Sequence, residues 1–295
     1  MLAQKPEDGK ILEREKYQFA PFEKVSDGPE KNYSKQEYTE AVTDAAFEME
    51  RLKYSSDGLT VTAYLYKPKE TKNKKSPAII FNRGGYIRGN VGSELAPFFR
   101  RLAQAGFVVL APLYRASDGA GGRDEVGGAD MNDLMNIVPL AKSLDFVDAN
   151  NLFLYGESRG GMMCLQAVRN NFPANAAATF GAFTDFDALL NANPKMYMPL
   201  VKTIWTDYET RRDEIVRQRS AIYWADKINT PLLLMHGGAD QSVDPLQTLN
   251  LAQALQKFGK SYELMIYNGD NHVLSQNQKD RDARAVQWFK KHLKQ

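Results

Sequence analysis

Gly156-Glu157-Ser158-Arg159-Gly160 follows an apolar run, residues 151–155, and precedes a stretch of helical character, residues 161–168. A serine between glycines at a strand-to-helix junction reads as a nucleophile elbow, a strained turn that exposes the hydroxyl at the head of a helix. The glycines are required because a side chain at either flanking position would collide with the neighbouring strand and helix. At the helix start, amides without intrahelical acceptors and the positive end of the helix dipole favour a developing oxyanion. The pentapeptide alone also recurs in ordinary loops, so its place between strand and helix is what gives it weight.

Outward from this junction the pattern is strand, helix, strand, helix. Residues 77–82 form a short buried strand ending in Gly84-Gly85. Leu95, Phe98, Phe99 and Leu102 recur at helical spacing, closed by Gly106. Residues 107–111 give the next strand, followed by a glycine-rich loop over 117–128 and a helix expected over 129–143. Strands are expected near 177–180, over 231–235 and over 262–267. Pro245 opens a helix carrying Leu246, Leu249, Leu255 and Phe258, and Val286, Phe289 and Leu293 mark a closing helix. Upstream, alternating residues 47–54 and 59–66 flank Ser55-Ser56-Asp57-Gly58, a hairpin turn. Continuous apolar strands alternating with helices predict an α/β fold: a mostly parallel sheet covered on both faces, with the hairpin as an antiparallel edge. Residues 1–46, rich in Lys, Glu and Asp, read as an N-terminal extension, helical between Ser34 and Ala46. Residues 47–295 read as one catalytic domain.

Composition bounds the function classes. The 295 residues are 43% hydrophobic and 25% charged, with a formal net charge of +2. That balance is too mild to suggest a nucleic acid or an anionic membrane partner. No apolar run approaches the roughly 20 residues of a membrane span. Cys164, the only cysteine, excludes an internal disulfide and reads as a small core residue. The start has no apolar leader core, which leaves the compartment open: cytoplasmic, or secreted or periplasmic with a signal peptide outside this sequence.

An activated serine needs a base and a group that orients the base. Of the three histidines, His292 falls in a charged final turn and reads as solvent-exposed. His236 ends a strand before Gly237-Gly238 and reads as a structural hydrogen-bonder. His272 follows the last strand, at the carboxyl end where an open α/β sheet places its ligands, and is the expected base. Asp240, in the loop after residues 231–235, lies between nucleophile and base in the order Ser, Asp, His. Asp244, its rival, precedes Pro245 and is explained as a helix cap. The backbone N–H of Arg159 supplies one oxyanion donor. A second is expected from Arg83-Gly84-Gly85, where glycines permit close approach, the alternative being a plain turn.

Asp118, Asp124, Glu125 and Asp130 in and beside the glycine loop lack the spacing of a calcium loop, and a packed structural turn is expected there. The aromatic-rich excursion at 186–226 reads either as a cap over the pocket or as helices burying aromatics against the sheet. Tyr86, Trp205 and Tyr208 are the candidate substrate contacts. Arg83, Arg159, Arg211 and Arg212 raise a preference for negatively charged substrates, although solvated arginines would look the same.

Taken together, Ser56-Asp57-Gly58, residues 82–85, Tyr114-Arg115 through Asp118-Gly119, residues 156–161, residues 236–240 and residues 270–272 resemble the catalytic domain of the prolyl oligopeptidase family, within the α/β-hydrolase superfamily. The resemblance covers about residues 47–295. It implies Ser158, Asp240 and His272 as a triad, an oxyanion contact at Arg83-Gly84-Gly85, an acyl-enzyme intermediate, and no metal or organic cofactor. Large members carry an N-terminal β-propeller, whereas only residues 1–46 precede the domain here. Where some relatives present an oxyanion tyrosine, this turn has Arg83. The implied substrate is a short peptide or acyl-amide, with a small ester as the alternative. A dienelactone-hydrolase-like enzyme would call for a cysteine nucleophile, and a non-catalytic binding protein for a lost triad member. Oligomeric state is not fixed by these residues.

Overall fold

A computed structural model describes residues 6–25, 33–70 and 74–295. Of the extension expected over 1–46, residues 1–5 and 26–32 lie outside the described residues. Nine strands form one sheet: β1 (Ile11–Lys16), β2 (Phe47–Ser56), β3 (Leu59–Pro68), β4 (Ser76–Asn82), β5 (Val108–Pro112), β6 (Val147–Glu157), β7 (Ala174–Phe180), β8 (Leu232–Gly237) and β9 (Tyr262–Tyr267). Their spatial order is β1-β2-β3-β5-β4-β6-β7-β8-β9. The first three strands pair antiparallel, as does β3 with β5, and every pairing from β5 through β4 to β9 is parallel.

The α/β class holds, with an antiparallel edge one strand wider than expected. β1 adds to the hairpin because Ile11–Lys16, mostly charged and exposed, forms the outer strand of the sheet. Such residues protect an edge against further pairing and hide it from a search for alternation. The helix expected after Ser34 runs over Lys35–Thr43, and Ser34 and Glu37 close a capping box around its first turn. The hairpin turn narrows to Asp57 and Gly58, both at positive φ (53° and 75°). Two left-handed residues give the twist that antiparallel strands need.

Parallel strands carry apolar residues on both faces because both faces are covered. In β4, Ala78 and Ile80 join one buried cluster and Ile79 and Phe81 the other. The helix Arg159–Arg169 packs on the first face, while the helices Gly92–Gln104 and Gln278–Lys291 contribute Phe99 and Phe289 to the second. The helix expected over 129–143 is two, Met131–Met135 and Ile137–Ser143, separated at Asn136. Pro139 has no N–H to offer the preceding turn, so it is accommodated only where a new helix begins. Among the described residues, no helix is long and apolar enough to cross a membrane.

Candidate active site

β6 ends at Glu157 and the next helix begins at Arg159, which leaves Ser158 as the single residue of the turn. Its backbone sits at φ 51°, ψ −119°, a conformation that costs a non-glycine residue about 1–3 kcal/mol. The turn is held from both sides. Ser158 N–H donates to Phe180 O at the end of β7 (2.9 Å), and Ser158 O accepts from Gly161 N–H (3.0 Å). A Cβ at Gly156 would lie 2.3 Å from Gly160 O, and one at Gly160 would lie 1.9 Å from Asn82 O. The glycines are therefore demanded by the backbones of the elbow helix and β4. Arg159 N–H, the first of that helix, has no intrahelical acceptor.

The turn after β4 lies against the elbow: a Cβ at Gly84 would be 3.3 Å from Ser158 Cβ, and Gly85 is at φ 74°. Arg83 folds back over this turn. Its Nη1 donates to Gly84 O (3.0 Å) and Tyr86 O (2.6 Å), and its Nη2 to Leu113 O (2.6 Å) and Ser117 Oγ (2.7 Å). Burial, with the nearby Arg159 charge, pushes its pKa down to about 10. The Arg159 side chain also reaches this turn, donating from Nη1 to Gly85 O (3.1 Å) and to Asp124 Oδ2 (2.7 Å). Its Nη2 donates to Asp124 Oδ1 (2.6 Å) and Asp130 Oδ2 (2.9 Å). Burial alone would lower the pKa of Arg159; the two carboxylates outweigh it and raise it.

Asp240 and His272 come together at the carboxyl ends of β8 and β9. His272 Nδ1 donates to Asp240 Oδ2 at 2.7 Å. Asp240 Oδ1 accepts from Ser242 N–H (2.8 Å) and Val243 N–H (3.0 Å). Burial would raise the carboxyl pKa, but bonds from His236 and His272 hold it well below the ordinary carboxylate value. The imidazole of His272 lies against Gly181, where a Cβ would fall 3.0 Å from Nδ1. Gly181 follows Phe180, the acceptor of the Ser158 amide, so the end of β7 brings the imidazole and the elbow to one place.

The other histidines are accounted for. His236 is fully buried and, beyond the structural role expected of it, donates from Nε2 to Asp240 Oδ2 (2.9 Å). Its i, i+4 spacing to Asp240 across the Gly-Gly turn was the signal available in the sequence. His292 is half-buried, not solvent-exposed as expected: it packs on Trp288 at 4.3 Å and donates from Nδ1 to the Trp288 carbonyl (2.8 Å). Asp244 is not the N-cap expected of it: the cap position of the helix Leu246–Lys257 is Pro245, and Asp244, one residue earlier, accepts from Leu246 N–H (2.8 Å).

A cavity of about 250 Å³ opens beside Ser158. Tyr86 and Trp205 line it; Tyr208 is not among the lining residues and is buried in the core. Half of the wall comes from the helices Phe186–Ala192 and Pro194–Ile204, through side chains such as Phe186, Leu190, Tyr197 and Val201. Among the described residues, Arg159 is the one charged side chain of the lining, and its charge is met by Asp124 and Asp130. Arg211 and Arg212 are exposed and pair with Glu214 and Asp207, and with Asp187, respectively. The four arginines thus serve protein partners, which removes the basis for expecting an acidic substrate.

The profile of the prolyl oligopeptidase family matches residues 97–295. The chain is 27% identical over 239 residues to the uncharacterized peptidase YtmA of Bacillus subtilis, covering 80% of this chain and 91% of that protein. It is 26% identical over 256 residues to dipeptidyl-peptidase 5 of Porphyromonas gingivalis, of which it spans only 36%. Among solved structures, a puromycin-hydrolyzing peptidase of Mycobacterium tuberculosis shares the fold with a TM-score of 0.70 at 21% identity, over 80% of this chain and 38% of that one. The chain belongs to the prolyl oligopeptidase family of serine peptidases.

Proposed function

We propose that the protein cleaves a short-peptide or acyl-amide bond, or a small ester, by nucleophilic catalysis at Ser158. The observation that carries the proposal is the 2.7 Å bond between His272 Nδ1 and Asp240 Oδ2, made where the strained elbow meets the end of β7. With its Nδ1 proton held by Asp240, the imidazole keeps its Nε2 lone pair for the serine proton. Ser158 Oγ attacks the acyl carbonyl and His272 takes its proton. Asp240 stabilises the imidazolium without itself being protonated. The tetrahedral oxyanion is met by Arg159 N–H and the Gly84-Gly85 turn, where each donor is worth about 2.7–4 kcal/mol of transition-state stabilisation. His272 then returns the proton to the leaving group, and a water activated by the same imidazole releases the acid.

The cavity argues for an uncharged, apolar acyl group, because an unpaired carboxylate placed there would lose its water without gaining a free cation. The names of the relatives, peptidases throughout those described, favour amide substrates; a compact apolar pocket suits an ester equally. A fluorophosphonate probe tests the nucleophile. Stoichiometric labelling of the wild type and none of Ser158→Ala is expected, and equal labelling of both would discard the proposal. Rates on p-nitrophenyl esters beside aminoacyl- and prolyl-amides then separate the two bond types.

A further inference from the structure

His236 is fully buried and does not line the cavity, yet every polar atom of its ring is engaged. Nε2 faces two groups that can only accept, Asp240 Oδ2 at 2.9 Å and Val243 O at 3.0 Å. That nitrogen therefore carries the hydrogen. Nδ1 lies 2.6 Å from Thr248 Oγ1, a hydroxyl that donates to its lone pair. Of the two neutral tautomers, these surroundings fit the one with its hydrogen on Nε2.

We propose that His236 is a positioning residue for the reaction, a second imidazole that sets the carboxylate on which His272 turns. This rests on the assignment of Asp240 and His272 above. The carboxylate has four donors. Two backbone amides pin Oδ1, while Oδ2 is shared between His236 Nε2 and His272 Nδ1. Without His236, the amides would still hold Oδ1, but the carboxylate plane would be free to rock about that anchor. With it, Oδ2 is fixed before substrate arrives, and His272 is offered one bond direction and one tautomer. Sharing Oδ2 also weakens it as a base, which keeps the proton on His272 when the imidazolium forms. The chain Thr248–His236–Asp240–His272 carries this order from the helix Leu246–Lys257 to the reacting imidazole. Hydrogen-bond chains of this kind strengthen one another in a low-dielectric interior.

The test uses the full chain with His236→Gln, His236→Leu and Thr248→Val, beside Asp240→Asn as reference. Glutamine presents an N–H at nearly the reach of Nε2; leucine presents none. His236→Leu is expected to lower kcat on the order of 10- to 100-fold, the range found for the hydrogen-bond partners that orient metal-bound imidazoles. KM should hold, because the residue does not line the cavity. His236→Gln should recover most of that loss, and Thr248→Val should lose less than the leucine variant, in the same direction. Proton NMR adds a readout that stability does not move: the low-field signal of the His272 Nδ1 proton should shift or broaden in His236→Leu and return in His236→Gln. Thermal melts of each variant identify any that fail to fold, and the glutamine and valine variants keep the test alive if leucine does. If Asp240→Asn is inactive while His236→Leu keeps the wild-type kcat and low-field signal, the positioning role is overturned and the triad survives. If Asp240→Asn keeps wild-type turnover, the triad itself falls.

Discussion

Arg159 and Asp124 meet through two parallel hydrogen bonds of 2.6 and 2.7 Å, with neither side chain appreciably exposed. The same guanidinium touches Gly85 O and Asp130, so the residue after the elbow ties the turn after β4 to the glycine loop. Fork-to-fork geometry of this kind fixes direction as well as distance. Removing one partner leaves the other charged and dry, which typically costs about 3–5 kcal/mol. Asp124→Asn is therefore expected to lower unfolding free energy by a few kcal/mol in urea titrations. The double variant Arg159→Met, Asp124→Leu should regain only part of that stability, because Asp130 keeps its backbone donors but loses the guanidinium, and it should not regain turnover, since Gly85 O would still have lost its tether. Recovery of full activity in the double variant would show the pair to be structural alone.

The backbone of Ser158 stores strain that glycine would release. With φ at 51° and ψ at −119°, Ser158→Ala should abolish turnover and leave the melting temperature close to the wild type, because alanine suffers the same clash. Ser158→Gly should also be inactive yet more stable, by about 1 kcal/mol or more, less whatever glycine gains in unfolded-state entropy. Calorimetry on the three proteins checks the ordering. A glycine variant less stable than alanine by about 1 kcal/mol, the full entropy cost of glycine, would mean the elbow conformation carries no strain.

Much of this was legible in the sequence because the determinants are local. Gly156 and Gly160 announce a close approach of backbones, and Ala78 to Phe81 announce burial on both faces. What escaped was set by partners distant in sequence. Ile11–Lys16 is a strand only because β2 is there to receive it. Asp124 and Asp130 look like loop charges until Arg159 arrives from the elbow, 35 and 29 residues away. His236 is the exception: its acceptors Asp240 and Val243 lie only four and seven residues on, so its spacing could have been read. The serine, acid and base could be ordered along the chain; the arginines could not be told from solvated ones without their partners.

If the cavity beside Ser158 receives the acyl group, as proposed, its wall sets a preference for uncharged substrates. Arg211 and Arg212 pair with Glu214 and Asp187 and are not among the lining residues. Replacing both with alanine should leave selectivity unchanged. Neutral p-nitrophenyl esters should exceed carboxylated analogues of similar length by at least about tenfold in kcat/KM, the effect of roughly 1.4 kcal/mol of unrepaid desolvation. Equal rates on the two series would remove the pocket argument.

Asp240 links the site to acid stability. Its folded pKa lies below the ordinary 3.8, with burial opposing and the His236 and His272 bonds prevailing. A depressed carboxyl stabilises the native state fully above its unfolded value, and that contribution is lost as pH falls through the folded value. Asp240→Asn should therefore be less stable than the wild type at neutral pH. The gap should narrow progressively as pH falls through about 3.9, where the unfolded carboxyl is half protonated, toward the folded value. Urea titrations of both proteins across that range measure it. A gap constant down to the lowest pH at which both remain folded would mean that the two imidazoles do not hold the carboxylate ionised.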